Sequence, residues 1–268
     1  TPRATREPKP WIAEHAISAM QAQVLIEKQF PQLAPASIHT LGDGWDNTAF
    51  LVNRTYVFRF PRRHIAVQCL ETELRVLPEI AASLPVAIPM PVFAGQPEAS
   101  FPWPFSGYEI LAGTTACHAN LDETQRQTIA VQLAHFLKSL HCFSPPKAAQ
   151  IGAPPDLIGR LDFASKVPEL QRQLDELHRV GLIENANRWH ALLEATAGAR
   201  TQPKTALVHG DLYMRHLLVD AAAELSGVID WGDVHLGDPA LDLSIVYSFL
   251  PPTGRDLFWR IYGDVDAD

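Results

Sequence analysis

One stretch in the C-terminal third constrains the fold of this chain most, because three short apolar runs in it each border a polar residue. The runs read ALV, LLV and VI; Asp211 follows the first, His216 precedes the second and Asp230 ends the third. Apolar runs that alternate with turns are typical of short strands joined by loops. The pattern therefore predicts that two carboxylates and an imidazole meet at strand ends.

Carboxylates delivered to one point suit two kinds of chemistry, the binding of a divalent cation and general-base catalysis. A single aspartate more often caps a turn, and one HGD triplet alone would favour that interpretation. In this sequence His216 lies five positions after Asp211, and Asp230 lies nineteen positions after it. The combination favours a shared site over three independent turns.

The same stretch resembles the catalytic segment of the aminoglycoside phosphotransferase family, the antibiotic kinases that have a protein-kinase-like fold. The family pattern is roughly HGDxxxxN, a hydrophobic strand, IDW or IDF, and then GDPxxDL. The sequence matches this pattern at residues 209–211, 229–231, 237–239 and 242–243. His216 stands where most members have asparagine, and the macrolide phosphotransferases of the family are similar in carrying histidine there.

The resemblance implies a role for each of these polar residues. Asp211 would be the catalytic base for the acceptor hydroxyl, while His216 and Asp230 would hold Mg²⁺. Imidazole is a softer ligand than the amide oxygen that a hard cation prefers. We therefore expect a weaker metal site at His216 and an unchanged reaction class.

The N-terminal part contains a glycine-rich segment, LGDGWDN, followed by the apolar run FLV. This order predicts a turn that enters a strand, whereas the glycines of a Rossmann site enter a helix. Taken alone, the segment is equally well interpreted as a plain hairpin. Beside the HGD stretch it resembles the family's nucleotide loop, whose backbone amides lie over the phosphates, and its candidate residues are Gly44 and Asn47.

Arg59 is the candidate phosphate-binding cation. It lies in TYVFRF, which alternates as a strand should, and the sequence has no lysine between Lys28 and Lys138. By resemblance Arg59 takes the place of the kinase lysine, and a guanidinium can bind phosphate bidentately. Glu71 and Glu73 of the next predicted helix are both candidate partners of Arg59. The spacing at Glu73 resembles the family's helix better, and a solvated helix face is the alternative.

The segment 108–111 resembles the hinge between two lobes, where the Glu109 carbonyl and the Leu111 amide would bond the nucleobase. The resemblance thus implies an α+β, two-lobed protein-kinase-like fold. Residues 1–111 would form an N-terminal nucleotide-binding lobe with an antiparallel sheet. Residues 112–268 would form a mainly helical C-terminal lobe that carries the catalytic loop and binds the substrate.

Apolar periodicity predicts a helix over residues 13–30 and another whose capping box is formed by Asn120 and Glu123. It predicts two further helices over residues 167–180 and 184–197. In the family these two helices roof the acceptor pocket. A cationic substrate facing their acidic residues is one interpretation and a solvated surface is the simpler one; these residues include Asp175, Glu176 and Glu184.

The net charge of −8 argues against a nucleic-acid partner and suits a cationic substrate. No stretch approaches the ~20 apolar residues that span a membrane, and the N-terminal residues lack the apolar core of a signal peptide. The three cysteines are far apart and form no CxxC, as in a protein of a reducing compartment without a zinc site. We expect a soluble, cytoplasmic protein, and its oligomeric state stays open.

The resemblance implies transfer of the γ-phosphoryl group of ATP or GTP, with Mg²⁺, to a hydroxyl of a small aminoglycoside- or macrolide-like acceptor. A metabolite kinase of the choline, homoserine or fructosamine type is the alternative. A nucleotide-binding pseudokinase is a second alternative, because the lysine and one metal position are altered. A protein kinase is a third, which is disfavoured because six residues between Asp230 and Gly237 leave no room for a long activation loop.

Overall fold

The computed structural model of the protein describes residues 12–198 and 204–263. The N-terminal elements are α1 (Ala19–Gln29), β1 (Ile38–Asp43), β2 (Asn47–Val52), β3 (Tyr56–Pro61), α2 (His64–Ile80), β4 (Pro91–Gly95) and β5 (Phe105–Glu109). They are followed by β6 (Thr114–Thr115), α3 (Glu123–His141), α4 (Pro145–Gln150), α5 (Phe163–Arg179) and α6 (Asn187–Gly198). The last elements are β7 (Ala206–Val208), β8 (Leu217–Val219), β9 (Leu225–Val228), β10 (His235–Gly237), α7 (Ala240–Phe249) and α8 (Pro252–Tyr262).

The N-terminal part is built on a five-stranded antiparallel sheet with the order β1-β2-β3-β5-β4. Successive residues of β3 point to opposite faces, so Phe58 and Phe60 are fully buried while Arg59 between them faces the other side. Phe60 stacks on Phe105 of β5 with ring centroids 4.5 Å apart. The proline-bounded β4 is an edge strand, as its sequence predicts.

The first helix is shorter than its periodicity predicts. It begins at Ala19 because Ser18 and Gln21 form a capping box that ends the preceding irregular segment. The same apolar spacing predicts that Met20 and Val24 lie on the buried face, but they are 77% and 60% exposed. The spacing of apolar residues therefore located this helix but misplaced its start and its buried face.

The long helix α3 carries the core of the C-terminal part. Its N-cap is Asp122 with Gln125 in the capping box, two residues beyond the predicted Asn120 and Glu123. Asn120 has φ 48° and so adopts the left-handed conformation of a turn before the helix begins. The apolar face of α3 is buried as predicted and consists of Ile129, Leu133, Phe136, Leu137 and Leu140.

The strands around the HGD and IDW motifs belong to two different small sheets. The three predicted strands are present as β7, β8 and β9, and an unpredicted strand, β10, follows the IDW motif. β7 pairs with β10, whereas β8 lies between β6 and β9. The Ile229 amide donates to the His216 carbonyl at 2.9 Å, which joins the loop before β8 to the end of β9.

The buried apolar residues form two hydrophobic clusters, one under the five-stranded sheet and a larger one among the C-terminal helices. The larger cluster includes Val76, Leu77 and Ile80 from the end of α2, although these residues precede the predicted boundary at residue 111. The α+β organisation, with an antiparallel N-terminal sheet and a mainly helical C-terminal part, is confirmed. The division into lobes at residue 111 stays a prediction.

The helices α5 and α6 follow α4 and precede β7 in the sequence, and they pack on each other as a hairpin. Their predicted positions are close to the observed ones; α5 starts earlier because Asp162 caps it by accepting a hydrogen bond from the Ser165 amide. We call α5 and α6 the helical hairpin. None of the described helices is long and apolar enough to cross a membrane.

Candidate active site

A cavity of about 960 Å³ brings together candidate residues from both parts of the chain. Eight of the nine predicted site residues line it, namely Gly44, Asn47, Arg59, Glu109, Leu111, Asp211, His216 and Asp230. The ninth, Glu73, lies behind Arg59 and is almost fully buried. The structure thus gathers the predicted residues around one space, and their roles stay predictions.

The HGD loop owes its shape to Gly210 and His209. Gly210 has φ 86°, and a Cβ on it would lie 2.3 Å from the Asp233 carbonyl oxygen, so only glycine fits. The buried His209 accepts from the Asp211 amide through Nδ1 at 3.3 Å and donates from Nε2 to the Ile229 carbonyl at 3.0 Å. Burial lowers the pKa of His209, which agrees with a neutral imidazole in this tautomer. His209 therefore ties the HGD loop to the IDW loop.

Asp242 of α7 fixes the same loop through hydrogen bonds to its backbone. Its fully buried carboxylate accepts from the His209 amide at 2.7 Å and the Gly210 amide at 2.9 Å, and it contacts His141 at 3.1 Å. Burial opposes ionisation, but the contact with His141 and the amide hydrogen bonds outweigh it, so the pKa of Asp242 lies below its ordinary value. The sequence pattern contained this residue in GDPALDL, but no role had been predicted for it.

His216 connects Asp211 to Asp230. Its Nδ1 lies 2.7 Å from the Asp211 carbonyl oxygen and donates to it, which leaves Nε2 facing the Asp230 Oδ2 at 3.3 Å. Burial disfavours the charged imidazole, yet the contact with Asp230 outweighs burial and raises the pKa of His216. The Asp211 carboxylate is half exposed to the cavity, and partial burial raises its pKa.

Asp230 is held by two side chains, Arg59 and His216. It follows β9 with φ 67°, a left-handed conformation that aspartate tolerates better than most residues. Its Oδ1 accepts from Arg59 Nη2 at 2.8 Å while Oδ2 faces His216. Burial opposes ionisation of this carboxyl, but His216 and Arg59 hold its pKa well below the ordinary range.

Arg59 is positioned by a buried network. Its Nη1 donates to both oxygens of Glu73 at 3.0 and 3.1 Å, which confirms the predicted pairing of Arg59 with Glu73. The Tyr108 hydroxyl donates to Glu73 Oε2 at 2.7 Å and accepts from Ser106 at 2.9 Å. Burial raises the pKa of Glu73, and Arg59 counteracts this shift. Tyr108 and Ser106 were missed, because nothing in the sequence distinguishes them from other strand residues.

The predicted phosphate loop is the turn between β1 and β2. The Gly44 amide donates to the Asn47 carbonyl at 2.8 Å and closes the turn, so the predicted turn entering a strand is confirmed. The Asn47 Oδ1 is buried and has no hydrogen-bond partner among the described residues. Asn47 lines the cavity, and no described residue donates a hydrogen bond to this oxygen.

The donor set of the cavity fits a Mg²⁺ ion carried by a nucleotide. Within residues 12–198 and 204–263, no group of three or more His, Cys, Asp or Glu side chains is placed to hold a metal by itself. Mg²⁺ is usually bound through one or two protein carboxylates together with substrate phosphates and waters. Asp230 is ionised, and neutral His216 would present Nε2 beside it, because Nδ1 donates to Asp211. These two residues are the candidate ligands.

Arg160 links the start of the helical hairpin to the cavity. It donates to Asp156 at 3.1 Å and also pairs with Asp233 in the loop that follows the IDW motif. Asp233 lines the cavity. Sequence reasoning missed this link, because Arg160 and Asp233 are 73 residues apart and no spacing rule relates them.

Known phosphotransferases are similar in sequence to this chain. A family model described as APH, the phosphotransferase enzyme family, matches residues 37–267. The viomycin phosphotransferase of Streptomyces vinaceus is 35% identical over 103 residues, which are 37% of this chain and 32% of that enzyme. The uncharacterized protein YcbJ of Bacillus subtilis (strain 168) is 26% identical over 198 residues, 70% of this chain and 60% of YcbJ. The matches thus span less than two thirds of either curated relative.

The fold has a solved counterpart over nearly its whole length. The structure of the GDP complex of wild-type aminoglycoside 2'-phosphotransferase-IIIa superposes with a TM-score of 0.76 at 27% identity. The match covers 94% of this chain and 85% of that chain. The similarity therefore includes both the N-terminal sheet and the helical part.

Proposed function

The chain belongs to the APH phosphotransferase enzyme family, and from this premise we propose that it is a small-molecule kinase. In this proposal it transfers the γ-phosphoryl group of ATP or GTP to a hydroxyl of an aminoglycoside- or macrolide-like acceptor. One observation carries the proposal: Asp211, Asp230 and Arg59 line the same cavity, although they come from distant segments. Their chemistry suits a base, a metal ligand and a phosphate-orienting cation.

Asp211 is the proposed catalytic base. Its carboxylate would accept the proton of the acceptor hydroxyl while the oxygen forms a bond to the γ-phosphorus. The bond between that phosphorus and the β–γ bridging oxygen breaks, and the nucleoside diphosphate leaves. Because burial raises the pKa of Asp211, its carboxylate is a stronger base than that of a solvated aspartate.

The other residues would position the nucleotide. Glu73 and Asp230 fix the guanidinium of Arg59 at the cavity wall, and the Gly44–Asn47 turn lies on the same wall. The Glu109 carbonyl and the Leu111 amide would form hydrogen bonds with the nucleobase. Asp230 and His216 would hold Mg²⁺, which would neutralise part of the phosphate charge.

The choice of donor is best tested with both purine nucleotides. The solved aminoglycoside 2'-phosphotransferase-IIIa is a GDP complex, which supports GTP as a donor to be tested beside ATP. The experiment is a coupled assay of ADP or GDP release with aminoglycosides, macrolides and hydroxylated metabolites as acceptors. An acceptor-dependent release that yields a phosphorylated product supports the proposal. A protein that binds either nucleotide but phosphorylates nothing in a broad set would be the pseudokinase instead.

We expect Asp230→Asn to weaken nucleotide binding more strongly in the presence of Mg²⁺ than in its absence, where only the hydrogen bond to Arg59 is affected. The amide retains one neutral oxygen and loses the charge that attracts the metal, while the protein contacts with the base are unchanged. Titration of the nucleotide with and without Mg²⁺ measures the effect. An identical Mg²⁺ dependence in the two proteins would exclude Asp230 as a metal ligand.

We expect Glu73→Gln to raise the KM for the nucleotide roughly tenfold to a hundredfold, the range of a lost charge-assisted hydrogen bond. Without the Glu73 charge, Arg59 keeps one ionic partner, Asp230, and its orientation is less defined. Glu71→Gln is the matched control, because Glu71 is exposed two residues earlier on the same helix. Steady-state kinetics at fixed acceptor concentration measure both, and equal KM values in the two variants would contradict the role of Glu73.

A further inference from the structure

The positively charged side chains around the cavity differ in whether the protein neutralises them. Arg59 is paired with Glu73 and Asp230, and Arg62 lies 3.6 Å from Asp43. Arg215 also lines the cavity and is exposed, and no hydrogen bond or ion pair to it occurs within the described part of the chain. Arg215 is therefore a cavity cation without a counter-ion among residues 12–198 and 204–263.

Two further polar side chains that can donate a hydrogen bond to an anion line the same cavity. Thr115 pairs with Leu218, and the Ala116 amide donates to the Leu217 carbonyl at 2.8 Å. The His118 amide then donates to the Thr115 carbonyl at 2.8 Å, so His118 lies in the turn that follows this pairing. His118 is exposed, lines the cavity, and has Nδ1 fixed 3.0 Å from the Thr115 hydroxyl.

The second side chain is Tyr213, which lies on the same loop as Arg215. Its ring packs edge-on against His216 with centroids 4.3 Å apart, and the residue lines the cavity. A phenol can donate a hydrogen bond to an anion, as can an imidazole N–H. Arg215, Tyr213 and His118 thus form a group of donors, which we call the Arg215 subsite.

Four acidic side chains that could recognise a polycation are already paired. In the helical hairpin, Asp175 contacts His190 at 3.0 Å and Glu176 forms an ion pair with Arg179. At the cavity wall, Asp46 pairs with Arg63 and Asp233 pairs with Arg160. The solvated-surface interpretation of Asp175 and Glu176 therefore fits the structure better than contact with a cationic substrate.

From these observations we infer that the acceptor carries an anionic group, a carboxylate, phosphate or sulfate, which the Arg215 subsite binds. The inference rests on the proposed function and names its substrate class. A guanidinium matches such groups bidentately. Because Arg215 follows Asp211 by four residues in one loop, an anion held there places a nearby hydroxyl within the cavity that Asp211 lines.

Sulfate is the first probe, because it tests the subsite without knowledge of the acceptor. The protein is saturated with Mg²⁺ and the β,γ-imido analogue of ATP or GTP, which fills the phosphate positions of the donor. Sulfate is then titrated at constant ionic strength, and the backbone amide resonances of residues 211–216, which exist in wild type and in both variants, are followed by NMR. We expect saturable binding that is roughly tenfold to a hundredfold weaker in Arg215→Gln and unchanged in Arg260→Gln, an exposed arginine of α8.

The outcome that overturns the subsite is sulfate binding of equal strength in wild type and Arg215→Gln, or no saturable binding in either. Release of nucleoside diphosphate from ATP or GTP in the absence of acceptor is measured on separate samples of the same proteins, prepared without the analogue. Intact nucleotide turnover with no effect of Arg215 on sulfate would refute the subsite alone. Absence of all nucleotide binding and turnover would refute the proposed function.

A second measurement uses three small acceptors of similar size, D-glycerate, glycerol and choline, which carry negative, no and positive charge. We expect the lowest KM for glycerate, with an increase of roughly tenfold to a hundredfold in Arg215→Gln and no change for glycerol. A preference for choline that Arg215→Gln leaves unaltered would contradict the inference. Where none of the three is phosphorylated, the sulfate titration decides alone.

Discussion

Asp211→Asn is expected to slow phosphoryl transfer by roughly 10²–10⁴-fold, the contribution of a positioned general base. The Asp211 carboxylate is half exposed in the cavity, and the contacts that shape its loop are made by its backbone. The asparagine variant should therefore keep the fold and bind nucleotide nearly as well as the wild type. A loss of kcat without a comparable change in nucleotide affinity would indicate an interaction made only in the transition state.

The control for this experiment is Asp256→Asn, which removes a carboxylate from the exposed surface of α8. Both variants are compared with wild type by single-turnover kinetics and by nucleotide titration. Near-wild-type turnover in purified Asp211→Asn would exclude Asp211 as the base. Loss of nucleotide binding together with turnover would instead assign Asp211 a structural or electrostatic role.

The chemistry of the candidate site was more predictable from the sequence than its architecture. Asp211, His216 and Asp230 were predicted to meet because each borders an apolar run, and short strands deliver such residues to their ends. The sequence does not state which strands pair. The site is assembled from the ends of two sheets, which are joined by the hydrogen bond from His209 Nε2 to the Ile229 carbonyl.

The misplaced helix starts have a common cause. At α1 and α3 the predicted start depended on apolar spacing or on a plausible Asn–Glu pair, whereas the observed start is set by a reciprocal side-chain cap. Ser18 with Gln21 and Asp122 with Gln125 satisfy amide groups that the first helical turn leaves unpaired. Several polar pairs in each segment have compatible spacing, and tertiary packing selects among them.

Partners that are distant in sequence were found only by resemblance or not at all. Glu73 was preferred over Glu71 because the family's helix has similar spacing, and the structure pairs it with Arg59. Tyr108, which bonds Glu73, had no such precedent in the motif and was missed. Arg215 was missed for a different reason, since it is distinguished only by having no ion pair within the described part of the chain.

The second large effect is expected at Asp242, which contacts neither nucleotide nor acceptor in the proposed function. Both of its oxygens accept hydrogen bonds from the backbone of the HGD loop, and the carboxylate is fully buried beside His141. Asp242→Asn replaces one acceptor oxygen with a donor group that faces a backbone amide. We expect the free energy of unfolding to fall by about 3–5 kcal/mol, the scale of a broken buried charge interaction.

Asp238→Asn is the matched control from the same GDPALDL motif. Asp238 is partly exposed and accepts one hydrogen bond, from the Ala240 amide at the start of α7, so its loss should cost about 1 kcal/mol at most. Urea denaturation gives both values. Equal destabilisation by the two substitutions would show that Asp242 is not the anchor of the catalytic loop.

The pH dependence of the free energy of unfolding distinguishes the electrostatic contribution of Asp242 from its packing contribution. The folded pKa of this carboxyl is depressed, so its contribution is fully present above the pKa of an unfolded aspartate, ~3.9. It is lost as pH falls through the lower folded pKa, because protonation removes the charge that the two amides and His141 bind. The stability difference between wild type and Asp242→Asn should therefore be constant near neutral pH and shrink in strong acid. A difference that persists unchanged into strong acid would attribute the effect to packing, and the anchoring of Asp211 through Asp242 would then not be electrostatic.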